Sequence, residues 1–261
     1  MLFLIDVGNT NIVMGVYDKD KHVRDWRIRT VADTTEDEFN ALVKNLFADA
    51  KITPNLIKKT VISCVVPPII GILNKFCKKY LGHNPLWVDP KTCGVMPILY
   101  KNPAEVGADR IVNGVAAYNK YKSSLIVVDF GTATTFDAIS EKGEYLGGAI
   151  SPGVTIAAEA LFKRASKLPR VDIFTPPENI IGKDTIESIK SGIIYGYAGL
   201  VEGIIKRMSA SMGTDPMVVA TGGLAELMAK VTDVIKKVEP DLTLEGLKYI
   251  GTNFYRNEKN T

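Results

Sequence analysis

Short apolar runs recur along the chain, each stopped by an acid, a glycine or a proline. Leu2-Phe3-Leu4-Ile5 runs into Asp6-Val7-Gly8-Asn9-Thr10, and Leu125-Ile126-Val127-Val128 runs into Asp129-Phe130-Gly131-Thr132-Ala133. Superimposing Asp6 on Asp129 also places Ile12-Val13-Met14-Gly15-Val16-Tyr17 over Thr135-Phe136-Asp137-Ala138-Ile139-Ser140, before charged turns at Asp18-Lys19-Asp20-Lys21 and Glu141-Lys142-Gly143. The pattern predicts a strand, a tight polar turn and a returning strand, twice over. Chance similarity between two hairpins is the plain alternative, and the shared D-x-G counts against it. Two α/β domains follow, with mixed sheets flanked by helices and the polar turns facing a cleft between them. The division falls in the polar stretch Lys120 to Ser124, giving domains 1–121 and 122–261.

Helical spacing of Phe39, Leu42, Val43 and Phe47 behind the acidic run at Asp33 to Glu38 predicts a helix. Val61 to Val66 reads as a buried strand ended by proline. Asn102-Pro103-Ala104-Glu105 carries an N-cap and a first-turn proline, so a helix is expected from Pro103 toward Tyr118. A long helix is expected over Thr185 to Ser211, and a short strand over Met217 to Ala220 leads into Thr221-Gly222-Gly223. Alternation of strands and helices argues α/β.

Composition narrows this picture. The chain is 46% hydrophobic and 23% charged, ordinary for a globular protein. A net charge of +3 gives no footprint for nucleic acid. Met1 to Ile5, broken by Asp6, lacks a basic leader and reads as a strand, not a signal peptide. Val61 to Leu73 contains Pro67-Pro68 and is too short to span a bilayer, which needs about 20 apolar residues. No membrane partner and a cytoplasmic location are therefore expected. Cys64, Cys77 and Cys93 form no C-x-x-C pair, and His22 and His83 lie far apart. Buried thiols are expected rather than disulfides or a zinc site, with a role for Cys93 near a site left open. Acid–base chemistry must then fall to carboxylates.

Gly8 and Gly131 allow sharp turns whose amides approach a phosphate, and Asn9, Thr10, Asn11, Thr132, Thr134 and Thr135 add hydrogen-bonding side chains. Neither a P-loop nor a Rossmann glycine motif is present. Asp6 and Asp129 are placed to orient the waters of Mg²⁺ or to hold a monovalent cation, or else they simply close each hairpin as Asx-turn residues. Thr221-Gly222-Gly223 suits a nucleoside lying against the backbone, or merely a strand-to-helix turn. Gly107-Ala108-Asp109-Arg110 offers a general base in Asp109 and a forked anion clamp in Arg110, against the plainer alternative of an exposed pair on a helix.

Asp6-Val7-Gly8-Asn9-Thr10-Asn11, Gly107-Ala108-Asp109-Arg110, Asp129-Phe130-Gly131-Thr132-Ala133-Thr134-Thr135, Gly147-Gly148-Ala149-Ile150-Ser151-Pro152-Gly153, Thr221-Gly222-Gly223 and Thr243-Leu244-Glu245-Gly246-Leu247 occur in one order. Together they resemble the type III pantothenate kinases of the actin/sugar-kinase/Hsp70 superfamily, over nearly the whole chain. The resemblance implies two duplicated actin-like (ribonuclease H-like) domains and transfer of the ATP γ-phosphoryl group to pantothenate, the first step of coenzyme A synthesis. It implies that Asp6, Val7, Gly8, Asn9, Thr10, Asn11, Ile12, Val13 and Thr132 contact ATP. Tyr100, Gly107, Ala108, Asp109, Arg110 and Thr185 would bind pantothenate, with Asp109 the proton acceptor. Asp129 would hold K⁺ or NH₄⁺, and Asp6 would meet Mg²⁺ through water. A homodimer with the substrate site at the subunit interface is also implied. The rival readings are another small-molecule kinase of the same superfamily and a non-catalytic regulatory paralogue.

Overall fold

The hairpin that begins at Leu2 is the centre of a larger sheet. The structure is a computed structural model and describes residues 1–90, 95–165 and 168–257. The chain forms two compact units, one comprising Met1–Pro97, Lys101–Ala116 and Thr243–Thr261, the other Ile98–Tyr100 and Ala117–Leu242.

In the first unit the strands are β1 (Leu2–Val7), β2 (Asn11–Asp18), β3 (Lys21–Arg29), β4 (Lys59–Cys64) and β5 (Leu86–Trp87), in spatial order β3-β2-β1-β4-β5. β1 is antiparallel to β2 and parallel to β4. Phe3, Ile5 and Val7 project from one face with Ile12, Met14 and Val16, and pack on Phe39, Val43 and Phe47 of α1 (Glu36–Asp49) and on Ile69, Leu73 and Phe76 of α2 (Pro67–Phe76). A capping box starts α1: Thr35 Oγ1 accepts from the Glu38 amide at 3.2 Å, and the Thr35 amide donates to Glu38 Oε2 at 2.8 Å. The opposite face meets α7 (Leu242–Asn257) so closely that a Cβ on Gly251 would lie 2.5 Å from Val61 Cγ2.

The second unit repeats this plan. Its strands are β6 (Leu125–Phe130), β7 (Ala133–Ile139), β8 (Tyr145–Pro152), β9 (Met217–Thr221) and β10 (Lys237–Val238), ordered β10-β9-β6-β7-β8. β6 is antiparallel to β7 and parallel to β9, as β1 is to β2 and β4. The core lies between this sheet and α4 (Val154–Arg164) and α5 (Thr185–Met212), around Phe136, Ala158, Ile194 and Val201. A short α6 (Ala225–Met228) follows β9.

Two sequence expectations need correcting, and two strands escaped the sequence reading. The second turn is one residue shorter than the first: Val7 pairs with Ile12, but Phe130 pairs with Thr134. Ile12 therefore corresponds to Thr134 and not to Thr135, and because strand side chains alternate, a one-residue slip would exchange the two faces. The expected helix from Pro103 is a 3-10 turn over Pro103–Glu105, and α3 (Ala108–Tyr121) starts only after Gly107. Third strands β3 and β8 were not legible, since β3 is largely polar and exposed while β8 carries Gly147 and Gly148 at its core.

The thiols follow their burial. Cys77 is buried and its thiol is pushed up to about 12, a core residue rather than a nucleophile. Cys93 lies outside the described residues. His83 is half-buried. Its Nδ1 lies 3.1 Å from the Leu81 carbonyl, which can only accept, so in the neutral ring Nε2 accepts from the fully buried Thr60 hydroxyl at 2.9 Å. Burial lowers the His83 pKa below the ordinary imidazole value of about 6.5. Below that pH the unfolded chain takes up a proton that the folded chain refuses, so stability is full above it and falls as the solution is acidified. Urea midpoints taken at pH 7.5 and 5.5 should show this loss, and a His83→Asn variant should show a smaller one.

Candidate active site

Strand ends bring the polar turns into position within each unit. In the first, Gly8 N donates to Asn11 O at 3.0 Å, Thr30 Oγ1 donates to Gly8 O at 2.6 Å, and Thr30 N donates to Thr10 O at 3.0 Å. Asn9 and Thr10 are exposed, whereas the Val7 and Ile12 side chains are buried at 0% and 2% exposure. Of the stretch Asp6 to Val13, then, Val7 and Ile12 can offer a ligand only their backbone. Thr30 was not singled out by sequence reasoning, and its distance from Gly8 along the chain leaves no local signal.

Asp6 pairs across the sheet with Ser63, and the Val65 amide donates to Val7 O at 3.0 Å, so the end of β4 runs beside the end of β1. Cys64 lies in the same place: burial is the main cause of its raised pKa, with the negative charge of Asp6 adding to it and a hydrogen bond with Val66 opposing. The start of α3 meets this edge. A Cβ on Gly107 would lie 3.7 Å from Val65 Cγ1 and only 2.5 Å from Asp109 Oδ1. A side chain at 107 would therefore collide with the carboxylate, which explains a glycine just ahead of a helix.

Asp109 sits in the first turn of α3, where the Arg110 amide donates to its Oδ1 at 2.8 Å. Burial raises its pKa, opposed by that amide and by the Arg110 charge. At this carboxyl, then, loss of solvent outweighs the nearby cation. Arg110 is itself 8% exposed. A guanidinium this buried keeps its fork in one orientation, which suits an anion clamp.

In the second unit, Gly131 N donates to Ala133 O at 3.1 Å and Thr132 is exposed at the tip of the turn. The turn is walled by glycines. A Cβ on Gly153 would lie 2.2 Å from Thr132 O, and one on Gly222, whose φ is +91°, would lie 2.5 Å from Asp129 Oδ1 and 2.7 Å from Phe130 O. Gly222 is thus required by the backbone around Asp129, a role the sequence did not suggest. Thr185 is the exposed first residue of α5; it lines a cavity of about 680 Å³ with Leu161, Lys183, Ser188 and Ile189. The neighbouring Asp184 carboxylate caps the helix, accepting from Glu187 N at 2.8 Å. Tyr100 lies beside the edge strand β8, its ring against that of Tyr145.

Among the described residues, no group of three or more His, Cys, Asp and Glu side chains is gathered to hold a metal. One carboxylate beside an exposed, amide-lined turn, as at Asp6, does fit a hydrated Mg²⁺, which keeps most of its waters and binds through phosphate oxygens.

A family model described as type III pantothenate kinase matches residues 2–207. A protein named type III pantothenate kinase from Desulforapulum autotrophicum is 64% identical, covering 96% of each chain. One of the same name from Desulfatibacillum aliphaticivorans is also 64% identical, over 96% of this chain and 97% of that one. Among solved structures, an inorganic polyphosphate/ATP-glucomannokinase from an Arthrobacter species matches 98% of each chain with a TM-score of 0.51 at 12% identity, a likeness of fold alone.

Proposed function

Because this chain belongs to the type III pantothenate kinase family, we propose that it joins ATP and pantothenate in a direct transfer, with Asp109 as the proton acceptor. The chain is a kinase whose two mixed sheets are actin-like domains, and it phosphorylates pantothenate in coenzyme A synthesis. The γ-phosphoryl group passes to the pantothenate hydroxyl; the bond from γ-phosphorus to the bridging oxygen breaks, ADP leaves, and the hydroxyl proton goes to Asp109. No phosphoenzyme is required for such in-line chemistry.

The observation that carries this reading is the setting of Asp109. It is desolvated, accepts from a helix-terminal amide, lies next to Gly107, where a Cβ would stand 2.5 Å from its Oδ1, and sits beside the strand ends that carry Asp6. Backbone amides of the turn beyond Gly8 and the Asn9 and Thr10 side chains take ATP phosphate oxygens, with Thr132 a further ATP contact. Gly107 to Arg110, Tyr100 and Thr185 take pantothenate, Arg110 meeting its carboxylate. Mg²⁺, when bound, spreads charge over the phosphates, and Asp6 would meet it through water; Asp129 would hold K⁺ or NH₄⁺.

Exposed Ile150, Phe174, Ile180 and Ile181, at 61 to 77% exposure, support a homodimer formed through the second unit. No helix among the described residues is long and apolar enough to cross a membrane.

Purified protein given ATP and Mg²⁺ should release ADP only when pantothenate is present, faster in K⁺ than in Na⁺. Absence of pantothenate-dependent ADP in either salt would move the assignment to another acceptor. Sedimentation at micromolar concentration should give twice the chain mass of 28.5 kDa; a monomer that turns over normally would remove the dimer from the reading.

A further inference from the structure

Tyr100 lies in a stretch with little structure of its own, yet several contacts converge to hold it. Ile98 forms an isolated parallel bridge with Tyr145, and the Leu99 amide donates to Tyr145 O at 2.8 Å. The Tyr100 ring packs on the Tyr145 ring, with centroids 6.4 Å apart and planes tilted by 59°. Beneath it, Gly147 adopts a φ of +127°, and a Cβ there would stand 3.6 Å from the Tyr100 ring edge. The β7–β8 register shifts at this point, Ile139 pairing with Tyr145 but Ala138 with Gly147, so Leu146 is an extra residue. Such bulges re-aim side chains at the edge of a sheet.

Tyr145 is anchored from below. It is fully buried, and its hydroxyl donates at 2.7 Å to Oδ1 of Asp137, which is also fully buried. Asp137 Oδ2 in turn accepts from Thr135 Oγ1 at 3.3 Å. A carboxylate with no solvent access is costly, and a core that needed only volume would carry an apolar residue there. What this one achieves is to tie the ring of Tyr145, at the start of β8, to β7.

We infer that the buried Asp137–Tyr145 pair is a positioning device for pantothenate, holding the Tyr100 ring in place through the bulge at Leu146. Tyr145 and Asp137 are positioning residues: neither touches the reacting atoms. The inference rests on the reading that Tyr100 contacts pantothenate. With the pin intact the Tyr100 ring is already ordered when substrate arrives; without it, binding must order the ring and its segment, a cost that falls on affinity.

Steady-state kinetics of the full-length enzyme separate the possibilities. Tyr145→Phe keeps the ring and removes the hydroxyl. It should raise the KM for pantothenate about tenfold, the scale of one lost buried hydrogen bond, while the KM for ATP and kcat stay near wild type. Asp137→Asn retains an acceptor oxygen and should restore most of the affinity. Tyr100→Ala should raise the same KM, and adding Tyr145→Phe to it should raise it no further. An unchanged KM in Tyr145→Phe beside a raised one in Tyr100→Ala would overturn the positioning role and leave the Tyr100 contact standing. Equal added losses in both backgrounds would also overturn it. No change in Tyr100→Ala would instead remove the contact on which the inference rests. Should Tyr145→Phe fail to fold, Leu99→Pro deletes the amide donor of the same tether at an exposed position, and the same KM rise is expected.

Discussion

Replacing Asp109 by asparagine should lower kcat by about 10²- to 10⁴-fold, the usual contribution of a positioned general base, with little change in the KM for ATP. Asparagine preserves the shape and can still accept from the Arg110 amide, so the loss isolates the proton-accepting step. The wild-type pH profile should carry the same mark. Because burial raises the Asp109 pKa, activity should disappear on acidification through a value above that of a free carboxylate, near 3.9. The asparagine variant should lack that acid limb in its residual rate. Stability should move the other way. A carboxyl whose pKa is raised on folding favours the fold at low pH and loses that contribution as pH rises through the raised value. Asp109 is then a burden at neutral pH, and Asp109→Asn should melt no lower than wild type there. A variant that retained full kcat would dismiss Asp109 as the base.

Gly222→Ala should be strongly damaging, because a left-handed backbone adds to a main-chain clash there. The new Cβ would stand 2.5 Å from Asp129 Oδ1 and 2.7 Å from both Phe130 C and Phe130 O, and main-chain atoms cannot swing aside as a side-chain tip can. Overpacking costs about 1–3 kcal/mol and a left-handed backbone about 1–2 kcal/mol for a residue other than glycine. Thermal unfolding should fall by roughly 10 °C, taking about 2–4 °C per kcal/mol for a chain of this size. Asp129 would be displaced with the strand end, so stimulation by K⁺ over Na⁺ should shrink as well. Gly223→Ala is the matched control, since a Cβ there meets nothing within 4 Å. It should melt within about 0.5 kcal/mol of wild type. Equal melting of the two variants would show that the approach of Gly222 to Asp129 does not constrain the fold.

Several features were legible because they are written in neighbouring residues. The two D-x-G hairpins, the helix behind the acidic run at Asp33 to Glu38 and the long helix from Thr185 all arise from local rules of alternation, terminal charge and helical spacing. The order of the short motifs along the chain was enough to recognise the family. Gly107-Ala108-Asp109-Arg110 was identifiable as a site by that resemblance alone, since an Asp and an Arg near a helix start are ordinary on physical grounds.

What the sequence by itself determined is therefore the repeated hairpin plan and the identity of the polar groups at each strand end. Only the tertiary structure decided the rest. It set the second turn one residue shorter, which corrects the strand register; it began α3 at Ala108, where Gly107 must clear the Asp109 carboxylate; and it placed Thr243–Thr261 with the first unit and Ile98–Tyr100 with the second. It also showed what the glycines are for, since Gly153 is shaped by Thr132, and Gly222 by Asp129. The contacts of Gly153 and Gly222 and the grouping of the chain segments depend on atoms brought together from distant parts of the chain, and steric exclusion between such atoms leaves no trace in local pattern until the sheet has formed.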